Sequence, residues 1–214
     1  MNNNDTSIII CCAGMGTRLG IGTTKALVNV LGTPVIIRLL HELSEYDDIR
    51  IIVGYQAESV IERVNKVRKD VMFAFNYNFE NTGEADSISK ALIGLRKYLV
   101  IIDGDAVFNP KDLKDFLNYP EEAIGICNIY SEEPIYADID RNGNVLNLNE
   151  TTGLSEYSCI AKVKSRRIRA INGSLYDMLN PLLPIQSKFI RARDFDTPDD
   201  YDQLIDWVQH DCIG

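Results

Sequence analysis

Short apolar runs alternate with stretches of helical periodicity through the first half of the chain. Ser7-Ile8-Ile9-Ile10 reads as a buried first strand, 49–54 as a second, 71–75 as a third and 98–102 as a fourth. The fourth, Tyr98-Leu99-Val100-Ile101-Ile102, is apolar throughout, as expected of a central parallel strand covered on both faces. Between these runs, 35–46 carries Ile36, Leu39, Leu40 and Leu43 at helical spacing, and 58–69 carries Val60, Ile61, Val64 and Val67 on one stripe. A further helix is expected over 85–97 after a polar loop. Thr33 is placed to cap the first helix with Pro34 at its first position, and Asn109-Pro110 opens another through Phe116 and Leu117. Four strand–helix repeats in succession predict an α/β fold: a Rossmann-like three-layer sandwich around a mixed, mostly parallel central sheet.

Beyond residue 120 the rhythm changes. The pattern predicts a strand over 123–130, a hairpin over 136–148 turning at Asn142-Gly143-Asn144, and a strand over 157–164. A short helix over 173–183 is closed by Pro181 and Pro184, and a last strand (188–195) and helix (198–208) follow. No repeat, low-complexity stretch or linker interrupts the 214 residues, so a single domain over 1–214 is expected, in two halves, 1–120 and 121–214.

The net charge of −9 argues against a nucleic-acid partner, because counterion release needs a basic face. It leaves room for a nucleotide, which needs only local cations. No apolar run approaches the roughly 20 residues of a membrane span. The polar start, residues 1–5, lacks the cationic character of a secretory signal. Five scattered cysteines (Cys11, Cys12, Cys127, Cys159, Cys212) without Cys-x-x-Cys spacing suit a reducing compartment, so a cytoplasmic location is expected.

The candidate chemistry begins where the first strand ends, at Ala13-Gly14-Met15-Gly16-Thr17-Arg18, with Lys25 shortly after. Glycines leave backbone N–H groups unshielded, and two cations add charge, which is what a polyphosphate requires. A Gly-x-Gly turn alone is common; the acidic residues downstream give this one meaning. Asp103-Gly104-Asp105 closes the fourth strand, at the edge where open α/β sheets bind ligands, and residues spaced by two share a side. Asp194 and Asp196 repeat the spacing before Thr197-Pro198, where Asp196 is also placed to cap the last helix. Oxygen-only donors suit Mg²⁺ or Mn²⁺.

These motifs, with Lys25-Ala26-Leu27, Gly32-Thr33-Pro34-Val35-Ile36 and the run from Asp194 to Tyr201, resemble the nucleotidyltransferase superfamily over nearly the whole chain. That superfamily comprises the sugar-phosphate nucleotidyltransferases and related cytidylyltransferases. The resemblance implies the nucleotide-diphospho-sugar transferase fold, with 1–120 binding nucleotide and 121–214 the acceptor. It implies that Ala13, Gly14, Gly16, Thr17, Arg18, Lys25 and Asp103 hold a nucleoside triphosphate. Arg18, Lys25 and Asp105 would be catalytic, and Asp105, Asp196 and Asp194 the metal carboxylates. Glu84-Ala85-Asp86-Ser87-Ile88 is similar to a base- and ribose-contacting helix start, which points to Ser87. Lys162 matches the family's acceptor contacts, although a solvated strand lysine fits the pattern too; Glu156, Tyr136 and Tyr157 are further candidates for the acceptor pocket.

The chain also departs from the family. Thr24 stands before the lysine where Pro is usual. The Glu-Lys-Pro motif of the hexose-1-phosphate enzymes is missing, its nearest position being Asn149-Glu150-Thr151, and no β-helix is appended. These departures move the expectation toward short cytidylyltransferases, which would join CTP to phosphocholine or another small phosphorylated precursor of a surface polysaccharide. Uridylyl-, thymidylyl- or guanylyltransfer to a sugar 1-phosphate is the alternative. A phosphate monoester has its second pKa near 6 and is already dianionic at about pH 7, so no protein base is required. His41 and His210 adjoin no motif, and Cys11 and Cys12 read as small core residues. A glycosyltransferase of related fold would not need a triphosphate cradle. A non-catalytic nucleotide sensor would not need Arg18, Lys25, Asp105 and Asp196 together. A dehydrogenase is disfavoured because Gly20 is wrongly spaced for the dinucleotide motif.

Overall fold

The computed structural model describes residues 5–210; the chain start at 1–4 and Cys212 lie outside the described residues. The first strand is β1 (Thr6–Cys12), flanked by β4 (Ile49–Val53) and β6 (Tyr98–Asp103), with β5 (Val71–Phe75) beyond β4; these four strands are parallel. The apolar runs of β1, β4 and β6 are buried on both faces, whereas edge strand β5 leaves Met72 and Phe75 exposed; β1 sends Ile8 and Ile10 to one core and Ile9 to the other. The first core holds α1 (Val35–Glu42), α2 (Ala57–Asn65), α4 (Pro110–Leu117) and α6 (Pro198–His210). The second holds α3 (Glu84–Ser89) and α5 (Leu175–Leu179). The result is the predicted three-layer sandwich.

The second half extends the same sheet. β11 (Ser155–Lys164) lies antiparallel beside β6, followed by β8 (Ala123–Cys127), β12 (Ile185–Phe189) and the hairpin β9 (Tyr136–Ile139) and β10 (Asn144–Asn149). Among the described residues the sheet has nine strands and is mixed, parallel through its first-half strands and with antiparallel pairings around β11 and β10. Two small ribbons complete the fold: β2 (Asn29–Val30) with β3 (Thr33–Pro34), and β7 (Val107–Phe108) with β13 (Ala192–Arg193).

Several predicted boundaries move. The helix expected over 85–97 stops at Ser89, because the Arg50 guanidinium takes the carbonyls of Ala91, Ile93 and Gly94, and Gly94 is left-handed. Thr33 does not cap α1: it pairs with Val30 in the small ribbon, and Pro34 itself occupies the cap position. Asn109 does cap α4, accepting from the Asp112 N–H at 3.1 Å with Pro110 behind it. The strand expected over 188–195 is two strands, since the chain leaves β8 after Phe189 and joins β7 at Ala192. No helix among the described residues is long and apolar enough to cross a membrane.

Candidate functional site

The parallel strands β1 and β6 end side by side, with Cys11 in register with Asp103, so the glycine loop and the Asp103-Gly104-Asp105 corner face one cleft. The cleft has a volume of about 920 Å³. Gly16 has φ 59°, and a Cβ there would lie 2.8 Å from Lys25 Cγ, so the position requires glycine. Gly14 faces open space, and the backbone after β1 is correspondingly unobstructed. Gly104 sits against Cys11 O and Cys12 Sγ at 2.4 and 2.5 Å from where its Cβ would be, which locks the acidic corner onto the end of β1.

Lys25 is the centre of the cleft. Its ammonium donates to Asp105 Oδ2 at 2.7 Å and contacts Asp196 Oδ1. Burial works against that charge, but the Asp105 and Asp196 carboxylates outweigh it and hold the ammonium above the ordinary lysine value. Arg18 also reaches Asp196, at 3.0 Å, and Glu133 at 2.6 Å, with its side chain 57% exposed at the mouth. Thr24, the departure noted above, earns a role: its N–H, which proline would lack, donates to Gln56 Oε1, and its hydroxyl to Gly14 O. Gln56 also accepts from the Thr23 hydroxyl and donates to Gly22 O. The sequence reading missed Gln56. It follows the end of β4, at the same edge as the glycine loop, and that placement is the signal that finds it.

The aspartates divide into unlike groups. Asp105 and Asp196 face Lys25. Asp194 lines the cleft but accepts from the Tyr130 hydroxyl at 2.6 Å, and burial together with nearby Asp105 pushes its carboxyl up to about 6. Asp103 is pushed well up by burial and by Glu84, with which it shares a hydrogen bond that requires a proton between them. Asp103 Oδ1 has no partner. Asp196 is not the cap of α6; Thr197 and Asp200 form that capping box. Asp105, Asp194 and Asp196 do not gather three ligand atoms within 4.8 Å of one another; the described trio that does is Cys11, Glu84 and Asp103. Cys11 is half-buried, packs against the second core and lines the cleft, while Cys12 is buried and also reaches the cleft wall. The fit to Mg²⁺ lies with Asp105 and Asp196: two hard oxygens converge on one cation, and Mg²⁺ is held by one or two carboxylates plus substrate phosphates. A thiol makes the Cys11 trio a poor Mg²⁺ site.

At the other end, Ser87 lines the cleft and its hydroxyl accepts from Asn76 Nδ2 at 2.9 Å. Tyr136, Glu132, Glu133 and Glu150 line the wall contributed by the second half. Two expectations are corrected here. Glu156 does not line the cleft; its carboxylate accepts from the Tyr130 and Ser131 N–H groups and the Ser131 hydroxyl, fixing the loop that carries Glu132 and Glu133. Lys162 is fully buried and donates to Leu117 O and Tyr119 O at 2.8 and 2.7 Å. Because β11 runs antiparallel, Lys162 lies opposite Val100, three residues below Asp103, and cannot reach a ligand in the cleft. His41 and His210 are exposed on helices away from it. Tyr157 is buried with its hydroxyl unpartnered, near Asp103 and Glu84.

Two outcomes follow. Glu156→Gln should raise KM for the acceptor several-fold while leaving KM for the triphosphate unchanged, measured by steady-state kinetics with each substrate varied. Lys162→Met should destabilise the chain by about 1–3 kcal/mol, since two carbonyls lose their donor, without changing kcat below the melting transition. Burial lowers the Lys162 ammonium to about 8, so the folded state binds fewer protons than the unfolded between that pH and lysine's usual value. Wild type should therefore gain stability relative to Lys162→Met as pH rises through that window, as read by denaturant melts.

The comparisons with known proteins bear on the fold and the family. A bifunctional protein GlmU of Hydrogenobaculum is 27% identical over 201 residues, 86% of this chain but 41% of that protein. Another, from Campylobacter fetus, is 36% identical over 104 residues, 48% of this chain and 24% of the other. This chain thus spans about two fifths of the length of the first of these relatives, and a quarter of the second is matched. Among solved structures, a CTP:phosphocholine cytidylyltransferase from Streptococcus pneumoniae superposes with a TM-score of 0.77 at 20% identity, covering 95% of this chain and 99% of that one. An inositol-1-phosphate CTP transferase from T. maritima gives 0.78 at 14%, covering 98% of both chains. At these identities the likeness is one of fold. The sequence profile of the MobA-like NTP transferase domain matches residues 8–161, from the first residues of β1 through the middle of β11, and the chain belongs to that family.

Proposed function

We propose that the protein transfers a nucleotidyl group from a nucleoside triphosphate, CTP by preference, to a small phosphorylated acceptor, releasing pyrophosphate. The observation that carries this reading is the convergence of Arg18, Lys25, Asp105 and Asp196 on one cleft beside an unobstructed glycine loop. The triphosphate lies along the loop, its charge met by Lys25 and Arg18, whose present carboxylate partners mark where anions are held. The sugar and base extend toward Asp103 and Ser87. The acceptor phosphate enters from the wall of Tyr136 and Glu150. One of its oxygens attacks the α-phosphorus, the bond to the bridging oxygen of the β-phosphate breaks, and pyrophosphate leaves with that electron pair. The chain contributes alignment and preformed charge, with no proton abstraction. Mg²⁺ or Mn²⁺, held by Asp105 and Asp196, with Asp194 beside them, would supply charge neutralisation at the phosphates.

CTP is favoured by Asn149-Glu150-Thr151 standing where the hexose-1-phosphate enzymes carry Glu-Lys-Pro, and by the fold likeness to two structures named for CTP. A sugar 1-phosphate acceptor with UTP, dTTP or GTP is the second reading, favoured by the fold likeness to a structure from Bacillus anthracis named for glucose-1-phosphate thymidylyltransferase, at 18% identity. A role in making a surface-polysaccharide precursor, in the cytoplasm, follows from the first. The test is a matrix of CTP, UTP, GTP, ATP and dTTP against phosphocholine, other phosphorylated alcohols and sugar 1-phosphates, read as pyrophosphate. Turnover that peaks with CTP and a phosphorylated alcohol supports the first reading, a peak with UTP, dTTP or GTP and a sugar 1-phosphate the second. No release with any pair overturns both.

A further inference from the structure

A second cavity, of about 650 Å³, opens at the opposite end of the sheet. It is built from the segment entering β6 and the turn leaving β11, so the six residues of β6 place it about 17 Å from the Asp103 corner at the usual rise per residue. Its size is that of a small-molecule site. Four cations line it, Arg96, Lys97, Lys164 and Arg166, in a chain whose net charge is −9.

The walls are preformed. Arg50, buried and paired with Asp48, holds the carbonyls of Ala91, Ile93 and Gly94. Ser7 Oγ accepts from the Arg96 N–H, and the Ser165 N–H donates to Lys97 O, tying the two basic segments together. Carboxylates already engage part of the charge: Asp47 and Asp48 face Arg96, while Glu121 and Glu122 face Lys164. Lys97, which lies over the Tyr98 ring at 5.1 Å, and the exposed Arg166 pair with no carboxylate among the described residues. Ser165 Oγ is buried at the same place and has no hydrogen-bond partner. Two uncommitted cations and an orphaned hydroxyl on a fixed backbone make an anion site, and Leu92 and Leu95 add an apolar wall.

We propose that this cavity binds a small phosphorylated molecule with an apolar or ring body, its phosphate on Lys97, Arg166 and Ser165 and its body on Leu92 and Leu95. The site is separate from the cleft and does not depend on the reaction proposed there. The compact cavity and the acidic chain favour a small ligand over a nucleic acid.

Equilibrium dialysis of the full chain with pyrophosphate, in chelator, tests it. Two sites per chain are expected, one lost in Lys25→Ala and the other weakened at least about tenfold in the double variant Lys97→Ala/Arg166→Ala, since each removes a charge-assisted contact. That double variant should keep the wild-type rate of pyrophosphate release from triphosphate. At the second site phenyl phosphate should bind at least about fivefold tighter than inorganic phosphate through the apolar wall. A single site that Lys25→Ala removes, or two sites untouched by the double variant, overturns the proposal; equal affinity for the two phosphates overturns the assignment of Leu92 and Leu95.

Discussion

Asp105→Ala is expected to lower metal-dependent pyrophosphate release by about 10³-fold, the upper range for removing one preorganised charge contact in a closed site. Asp105 lies two residues past the end of β6, 2.7 Å from the Lys25 ammonium, on a corner fixed by Gly104. It joins the corner that follows β6 to the Lys25 cluster. Folding should survive, because Lys25 keeps Asp196 and the backbone at the corner is held by the Gly104 N–H donating to Cys11 O at 2.9 Å. The measurement is pyrophosphate release across a titration of Mg²⁺, with circular dichroism as the fold control. Turnover like wild type in Asp105→Ala, or full activity in excess chelator, would refute the mechanism.

Lys25→Ala should be nearly as damaging, with a fall in kcat/KM for the triphosphate of about 10²–10³-fold. Here the defect has two parts. The cleft loses its innermost cation, and Asp105 and Asp196 are left facing each other without the charge that separates them. Removing one partner from a partly buried network costs stability as well, about 1–3 kcal/mol for side chains still partly solvated. Lys25→Arg is the informative companion. It keeps the charge but puts a planar fork of different reach where a compact ammonium sits between Asp105 and Asp196. Arginine should therefore restore stability more than turnover. Equal recovery of both would mean that only the charge matters.

The fold was legible because β1, β4 and β6 are buried on both faces and so write themselves as apolar runs, and edge strand β5 is apolar too although Met72 and Phe75 are exposed. The half of the site that hangs on their ends was legible for the same reason: Gly16, Lys25 and Asp105 follow directly from strands that could be read. The second half was harder. Lys162 and Glu156 both look exposed in a sequence, since a charged residue on a strand is normally solvated. Both are buried, and each is satisfied by backbone groups brought from elsewhere: Leu117 and Tyr119 for the lysine, Tyr130 and Ser131 for the glutamate. Such partners are distant in sequence and leave no periodic trace. Glu133 escaped notice for a related reason. Its contact with Arg18 joins residues 115 positions apart, through a loop with no secondary structure of its own.

β11 enters the sheet from the cleft side, and its opening residues carry much of the second half's wall. Ser155 pairs with Ala137 and Glu156 with Tyr136 and Cys127, while the Glu156 carboxylate grips the loop at Tyr130 and Ser131. Two connections, 128–135 and 150–154, are thereby moored at a single point on an otherwise unaltered sheet. Grafting those two connections from another member of the family, with Glu156 kept as the mooring, would exchange the acceptor wall and leave the triphosphate cradle as it stands. The scaffold is in that sense already divided for engineering, and the seam runs along one strand.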